Sequence, residues 1–407
     1  MAGAELVLYE DAIARAWHPF TTTRPAGELL YGAFTMRARA ERIFGLPCSG
    51  HLTAPQLVGF DEPGSAPAIA RDSIVNDRAR LYLNSRAVLD WGTSLEPPPG
   101  PAVLRTQGEV VGHWAPAGTR PPTVEALTGE SLPADTGTID VRGHIVSSLW
   151  RLVGGNAAQI GHDVDAAAPP PRALPAGLSV IGDPERVRLG HDVWIEPGVV
   201  FDVTDGPIWL DDRVRVRAFT RLGGPAYIGR DSVLLGGPFT AVSIGPVCKV
   251  HGEVEETVVL GYTNKAHDGF LGHAYLGRWV NLGALTTNSD LKNNYGTIRL
   301  WTPAGDVDTG EMKIGCFLGD HVKTGIGVML NTGTVIGAGS NVFGAAQPPK
   351  AVPPFAWGAG DALGVHDFER FLATAETAMA RREVELTPGV RGVLHRAWRM
   401  THGEVPA

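Results

Sequence analysis

The segment from Asn264 to Asn281 reads N-K-A-H-D-G-F-L-G-H-A-Y-L-G-R-W-V-N, inside a six-residue rhythm whose regular positions call for apolar residues or glycine. Within it stand a histidine, a lysine and two asparagines that the rhythm does not explain. An imidazole titrates near neutral pH, so His267 is suited to take a proton from a nucleophile. Lys249 and Lys265 offer cations to an anionic group. Plainer readings stand beside these. A lone histidine in a repeat protein is commonly a surface group, Asn281 can be a rung of an internal asparagine ladder, and exposed lysines are usually solvated. His267, His273 and His321 also raise a zinc site, which needs three imidazoles converging on one ion. The six-residue separation of His267 and His273 puts them on different faces instead, so no metal ligand is assigned.

The elements that would position these residues follow from the period. Leu189 and Ile195 stand six apart, as do Ile228 and Leu234, Ile244 and Val250, and Leu276 and Leu282; the clearest run is Leu318, Thr324, Leu330, Ile336 and Val342. Strand alternation has period two and amphipathic helices 3.6, so a sustained six means one short strand and a turn per unit, with three units closing a triangular coil. Stacked coils share one apolar core. The rhythm breaks between Leu285 and Ile314 with a polar insert rich in turn residues, which predicts a projecting loop. After Pro353-Pro354, Phe368, Phe371, Leu372, Ala375 and Met379 have helical spacing, and so do Val390, Val393, Leu394, Ala397 and Trp398. These predict two helices that cap the open end of the prism.

Ahead of the repeat, residues 1–112 read as an α/β domain. Leu6 to Tyr9 and Arg80 to Leu83 are strand candidates, Ala102 to Leu104 and Val110-Val111 suggest a hairpin, and Thr35 caps a helix through Met36, Ala40, Ile43 and Phe44. Residues 113–177 read as a Pro-interrupted linker with one helix carrying Ile145, Leu149, Leu152 and Val153. The repeat occupies 178–355 and the helical cap 356–407.

Composition narrows the function classes. The chain has 407 residues, 52 glycines, 31 prolines and a formal net charge of -8. Nothing here offers a general basic field for nucleic acid or an anionic membrane, so an anionic ligand must be met by local groups. Three cysteines without paired spacing fit a reducing compartment. With no basic-then-apolar leader and no run of about 18 apolar residues, the expectation is a soluble cytoplasmic protein.

K-A-H with N-L-G-A fourteen residues after the histidine, then N-N-Y-G, then L-G-D-H-V-K-T-G-I-G, resemble the acetyltransferase half of the bifunctional N-acetylglucosamine-1-phosphate uridyltransferase/glucosamine-1-phosphate acetyltransferase family. T-R-P near the start, G-Y-T-N-K-A-H-D-G-F-L-G and M-A-R-R-E-V-E-L-T resemble a divergent bacterial branch of it. The resemblance implies a left-handed parallel β-helix, a homotrimer, acetyl-CoA as acyl donor and a small-molecule sugar as acceptor. It puts His267 on the catalytic base and Asn281 and Ala284 on positions that hold acceptor and donor. Asn294 and Tyr295 fall on a loop closing over the site. Backbone N–H groups at Gly283-Ala284 would meet the oxyanion, and Lys249 and Lys265 a sugar phosphate.

The departures are specific. A lysine pair of the family is replaced here by Glu255 and Glu256, which would repel a phosphate, and a tyrosine by Phe270. The N-terminal domain resembles the nucleotidyltransferase half but has lost the glycines and lysine of its phosphate loop, leaving Arg24 and Pro25 in H-P-F-T-T-T-R-P-A. Asn84-Ser85-Arg86 stands where the family's metal-binding aspartate would be, so Mg²⁺ is expected only if this domain is active. The function expected is an acyl-CoA-dependent N-acyltransferase on an amino sugar, sugar phosphate or nucleotide sugar. Sugar-1-phosphate nucleotidyl transfer and a non-catalytic sugar-nucleotide-binding scaffold are the alternatives.

Overall fold

A computed structural model describes residues 3–75, 77–132 and 136–402. The N-terminal domain is built on a six-stranded mixed sheet in the order Cys48–Leu52, Glu5–Tyr9, Arg80–Asn84, Glu109–Ala115, Ala102–Thr106, Gly137–Asp140. The unbroken apolar run at Leu6 to Tyr9 reflects burial on both faces. Leu6 and Leu8 join one core cluster, Val7 and Tyr9 another. The helix Met36–Phe44 starts where Thr35 Oγ1 accepts from the Ala38 N–H and ends at Gly45, whose φ of 62° suits the left-handed closing residue.

The sheet runs past the break expected at residue 112, which falls inside the strand Glu109–Ala115. Ile145 belongs to the strand Gly143–Ile145, paired with Ala87–Leu89, and not to a helix. The helices follow later, at Arg151–Gly154 and Asn156–Ala167. The longer one is more than a spacer. Its Asp163 accepts from Arg39 Nη2 at 2.7 Å and from the Ala33 N–H at 2.8 Å, and its Asn156 Oδ1 from the Gly32 N–H at 2.8 Å and from Ser243 Oγ at 3.1 Å. It thereby ties the sheet domain to the prism.

The period of six produces the expected left-handed parallel β-helix. Its first face begins at Ser179–Ile181, its second at Val187–Leu189 and its third at Trp194–Ile195; these carry six, nine and ten strands. Leu318, Thr324, Leu330, Ile336 and Val342 are all buried. The second face is also covered from outside. Val258, Leu260, Tyr275, Phe317 and Val335 join Trp17, Phe20 and Leu29 in one cluster, and Tyr275 Oη accepts from the Leu30 N–H at 2.8 Å and donates to the Leu30 carbonyl at 2.9 Å. Two domains that look separable in sequence therefore share a core.

The insert after Leu285 carries the hairpin Arg299–Thr302/Gly305–Asp308, but it does not simply project, because Ile298 and Leu300 are buried in that shared core. The C-terminal helices Phe368–Ala380 and Pro388–Thr401 do not lie over the end of the stack. There the hairpin Ala356–Ala359/Ala362–Val365 occupies the edge, and the helices run back along the side against Trp279 and Phe355. Arg396 Nε reaches the Gln56 carbonyl at 2.8 Å, so they also grip the N-terminal domain. Among the described residues no helix is long and apolar enough to cross a membrane.

Candidate functional site

Each triangular coil has three corners, and the three histidines of the sequence reading fall on different ones. His267 is at the turn from third to first face, His273 from first to second, His321 from second to third. Within one chain they do not come together on one ion.

The His267 corner is built on an irregularity. Lys265 pairs in register with Val250, a core residue, so a lysine fills an inward, apolar slot. It is 3% exposed, and its Nζ donates to the carbonyls of His251 and His267, each at 2.7 Å. Burial lowers its pKa to about 8, opposed by Asp268. Lys265 is therefore no phosphate ligand; it pins the backbone on both sides of the corner, and the His267 side chain projects into solvent. Among the described residues the imidazole has no hydrogen-bond partner.

Register places Ala284 beside His267 in the next coil, since Asn264 pairs with Asn281 and the Leu285 N–H donates to the Asp268 carbonyl at 2.9 Å. Of the two N–H groups expected to meet an oxyanion, that of Gly283 is engaged by Thr324 O and Oγ1, both at 3.1 Å. A side chain on Gly283 would meet the Gly325 backbone at 2.5 Å, so this glycine serves coil stacking. The Ala284 N–H has no partner among the described residues. The same corner exposes Phe219, Leu285 and Ile326 at 86%, 58% and 76%.

Asn281 is not directed at His267. It lies on the third face in an outward ladder of Lys249, Asn264, Asn281, Lys323 and Asn341, and Asn264 Nδ2 donates to its Oδ1 at 3.0 Å. With Arg381 and Arg382, which follow the helix Phe368–Ala380, Lys249 and Lys323 surround a cavity of about 250 Å³. Sequence reasoning missed these two arginines and Lys323. Asn294 and Tyr295 are on the insert, which leaves from the His273 corner. There Asn294 Oδ1 accepts from the Gly296 N–H at 3.1 Å and Tyr295 is 68% exposed.

The carboxylate at 256 does not face solvent unopposed. His273 Nε2 lies 3.2 Å from Glu256 and Nδ1 lies 2.8 Å from Asp290. Burial alone would lower the histidine's pKa, but the bonds and charges of Asp290 and Glu256 overcome it and raise the pKa to about 9. Glu256 is thus half of a clamp that fastens the insert to the coil, and the expected repulsion of a phosphate weakens accordingly.

The Thr-Arg-Pro loop has also been taken into the structure. Thr23 Oγ1 donates to Asp320 Oδ2 at 2.9 Å, Arg24 Nε to the same oxygen at 3.0 Å, and Arg24 Nη1 to Glu62 Oε2 at 2.8 Å. Arg278 adds a second cation on Glu62 at 2.7 Å. Arg24, Glu62 and Asp320 are each no more than 5% exposed. Nor do the residues at the expected metal position fit Mg²⁺. Asn84 and Arg86 both bind Asp11, with Arg86 Nη2 at 2.6 Å, so a guanidinium stands where a cation would go.

The comparisons with known proteins bear on the α/β domain and on the β-helix that follows it. Residues 6–168 match the sequence profile of the sugar nucleotidyl transferase family. The chain is 30% identical over 91 residues to the bifunctional sugar-1-phosphate nucleotidylyltransferase/acetyltransferase of Sulfurisphaera tokodaii, covering 22% of this chain and 23% of that one. It is 27% identical over 195 residues to the bifunctional protein GlmU of Nitrosospira multiformis, covering 42% and 38%. The matches thus span about a quarter to two fifths of these relatives' length. The crystal structure of Arabidopsis UDP-N-acetylglucosamine acyltransferase aligns with 53% of this chain and 79% of its own at 12% identity and a TM-score of 0.30. The profile match and the two bifunctional relatives make this chain similar, over part of its length, to the GlmU-like proteins.

Proposed function

We propose that this protein is an acyl-CoA-dependent N-acyltransferase acting on an amino sugar, sugar phosphate or nucleotide sugar. The observation that carries the reading is the pairing, on one open corner, of an unengaged imidazole with an unengaged backbone N–H. Acetyl-CoA, when bound, supplies the thioester. An amino group is mostly protonated near neutral pH, and His267 takes the proton that must leave before nitrogen can attack. The Ala284 N–H meets the oxygen that becomes negative; as the carbonyl re-forms, the C–S bond of the thioester would break and the departing thiolate would take the proton held by His267. Lys265 holds the turn so that the imidazole stays in place. Lys249 and Asn281 serve the substrate from the adjoining face.

The working unit is a homotrimer. Asn294 and Tyr295 sit on a different corner from His267, so a loop closing over the imidazole comes from a neighbouring copy, and the exposed Phe219, Leu285 and Ile326 supply an apolar contact. Three free cysteines fit a cytoplasmic setting. The test is thiol release from acetyl-CoA with a panel of amino sugars, sugar phosphates and nucleotide amino sugars. His267→Ala should lower turnover by about 10²–10⁴-fold; turnover unchanged in that variant removes the base assignment, and no turnover with any acceptor leaves a binding scaffold.

The match over residues 6–168 favours a second reading, sugar-1-phosphate nucleotidyl transfer. Against it stands the buried Arg24, whose guanidinium is held by two carboxylates. We take the N-terminal domain as retaining the fold without the reaction. Pyrophosphate release from nucleoside triphosphate and sugar phosphate with Mg²⁺ would overturn this.

A further inference from the structure

The cavity between the third face and the C-terminal end of the helix Phe368–Ala380 gathers Lys249, Lys323, Arg381 and Arg382. None of the four makes an ion pair or a side-chain hydrogen bond with a described residue, although other arginines of this chain are paired repeatedly. Two arginines at a helix C-terminus are favoured by the helix dipole. That accounts for Arg381 and Arg382, but not for two lysines brought opposite them from coils that lie on either side of the Asn264/Asn281 pair. Like charges around one cavity repel, and Lys323 is also dehydrated: burial lowers its pKa to about 8 with no carboxylate to offset it. An anion in the cavity would relieve both penalties.

The lining says which anion. Arginine forks bind phosphoryl oxygens in pairs, and lysines add point charges. Asn264 donates to Asn281 Oδ1, which leaves the Asn281 amide nitrogen without a protein partner among the described residues. On one side Tyr262 stacks on Trp279 with centroids 4.3 Å apart and planes 25° apart, giving an aromatic wall. We propose that this cavity binds the phosphate or pyrophosphate group of a small-molecule ligand. It does so whether or not His267 carries out acyl transfer, so the two readings can fail separately.

The experiment uses the full chain and inorganic pyrophosphate, titrated calorimetrically and by thermal shift against sodium chloride of equal ionic strength. Pyrophosphate binds and raises the melting temperature, and chloride does not. Lys323→Gln and Arg382→Gln each weaken binding about tenfold or more, the loss of a charge-assisted contact. Lys249→Gln, at the exposed rim, keeps the fold if the half-buried Lys323 and Arg382 variants do not, and weakens binding less. Arg151→Gln, an exposed arginine outside the cavity, leaves binding unchanged. Coenzyme A and a nucleoside diphosphate sugar, run against the same variants, identify whether the phosphate arrives on the acyl donor or the acceptor. No pyrophosphate binding above the chloride control, or equal weakening by Arg151→Gln and Arg382→Gln, overturns the proposal.

Discussion

Arg24 and Arg278 lie at the seam between the N-terminal domain and the prism, facing Glu62 and Asp320; Lys249, Lys323, Arg381 and Arg382 lie at the seam between the prism and the C-terminal helix, facing no described carboxylate. Both seams join a prism face to a later or earlier segment, and both concentrate cations. In the first the charges are dehydrated and matched, so desolvation is offset by partners in place, and separating the domains would leave them unmatched. In the second the charges are left unmatched around open volume. Matched charge has become architecture, and unmatched charge marks where something else must bind.

The sharpest way to break that contrast is Arg24→Ala. It leaves Asp320 without its ionic partner and Glu62 with Arg278 alone, both carboxylates being nearly inaccessible, and should cost about 3–5 kcal/mol, as for removal of one member of a buried ionic group. Denaturant unfolding would check the magnitude, and a separate early transition for the N-terminal domain would show that the clasp joins the two. Charge removal at Lys249 should leave stability nearly unchanged. The clasp also has a pH signature. Burial would raise the Glu62 pKa, but Arg24 and Arg278 overcome it and hold it at about 2. A depressed carboxylate pKa means stability that is present above about pH 4.5 and lost as pH falls toward 2. Acid titration should loosen this seam in that window.

A smaller effect is expected where matching is partial. His273 is 8% exposed but its partner Glu256 is 41% exposed, so water screens part of the interaction. His273→Gln should cost about 1–3 kcal/mol and raise hydrogen exchange in the insert around Asp290, leaving the coil protected. Here the sign reverses. With a folded pKa of about 9 against an ordinary value near 6.5, the contribution is complete below about pH 6.5 and disappears as pH rises through 9. The His273 resonance titrating near neutrality would show that the clamp does not form.

What the sequence made legible follows from the range of the interactions. The six-residue period is local, so the prism and its inward column from Leu318 to Val342 could be read directly, and Thr35 announced its helix within four residues. Coil lengths are uneven, however: Val250 to Lys265 is fifteen residues and Lys265 to Leu282 seventeen. That unevenness hid the fact that Lys265 falls in the inward column, and its charge invited a phosphate role it does not have. The clasp could not be seen because Arg24 and Asp320 are 296 residues apart. The basic cavity needs Arg381 and Arg382 folded back onto Lys249, and the helical spacing that revealed their helix is silent on which way it runs. Glu256 looked like an unopposed anion because its neutralising histidine is the next coil's corner.

Lys265 supplies the smallest and most discriminating change, since it stands between the two kinds of seam: buried as the matched cations are, yet held by neutral carbonyls. Lys265→Met restores an apolar residue to a column that includes Val250 and Leu282 and removes a dehydrated charge, while leaving the His251 and His267 carbonyls without their donor. These terms oppose each other, so net stability at pH 7 should change by only about 1 kcal/mol. The wild-type chain binds fewer protons folded than unfolded between pH 8 and the ordinary lysine value of about 10.5, so its stability should rise across that interval on account of this residue. Lys265→Met should remove that rise. Its effect on acyl transfer should exceed its effect on stability, because the turn that presents His267 loses its pin; equal activity in the variant would show that the corner is held by the coil alone.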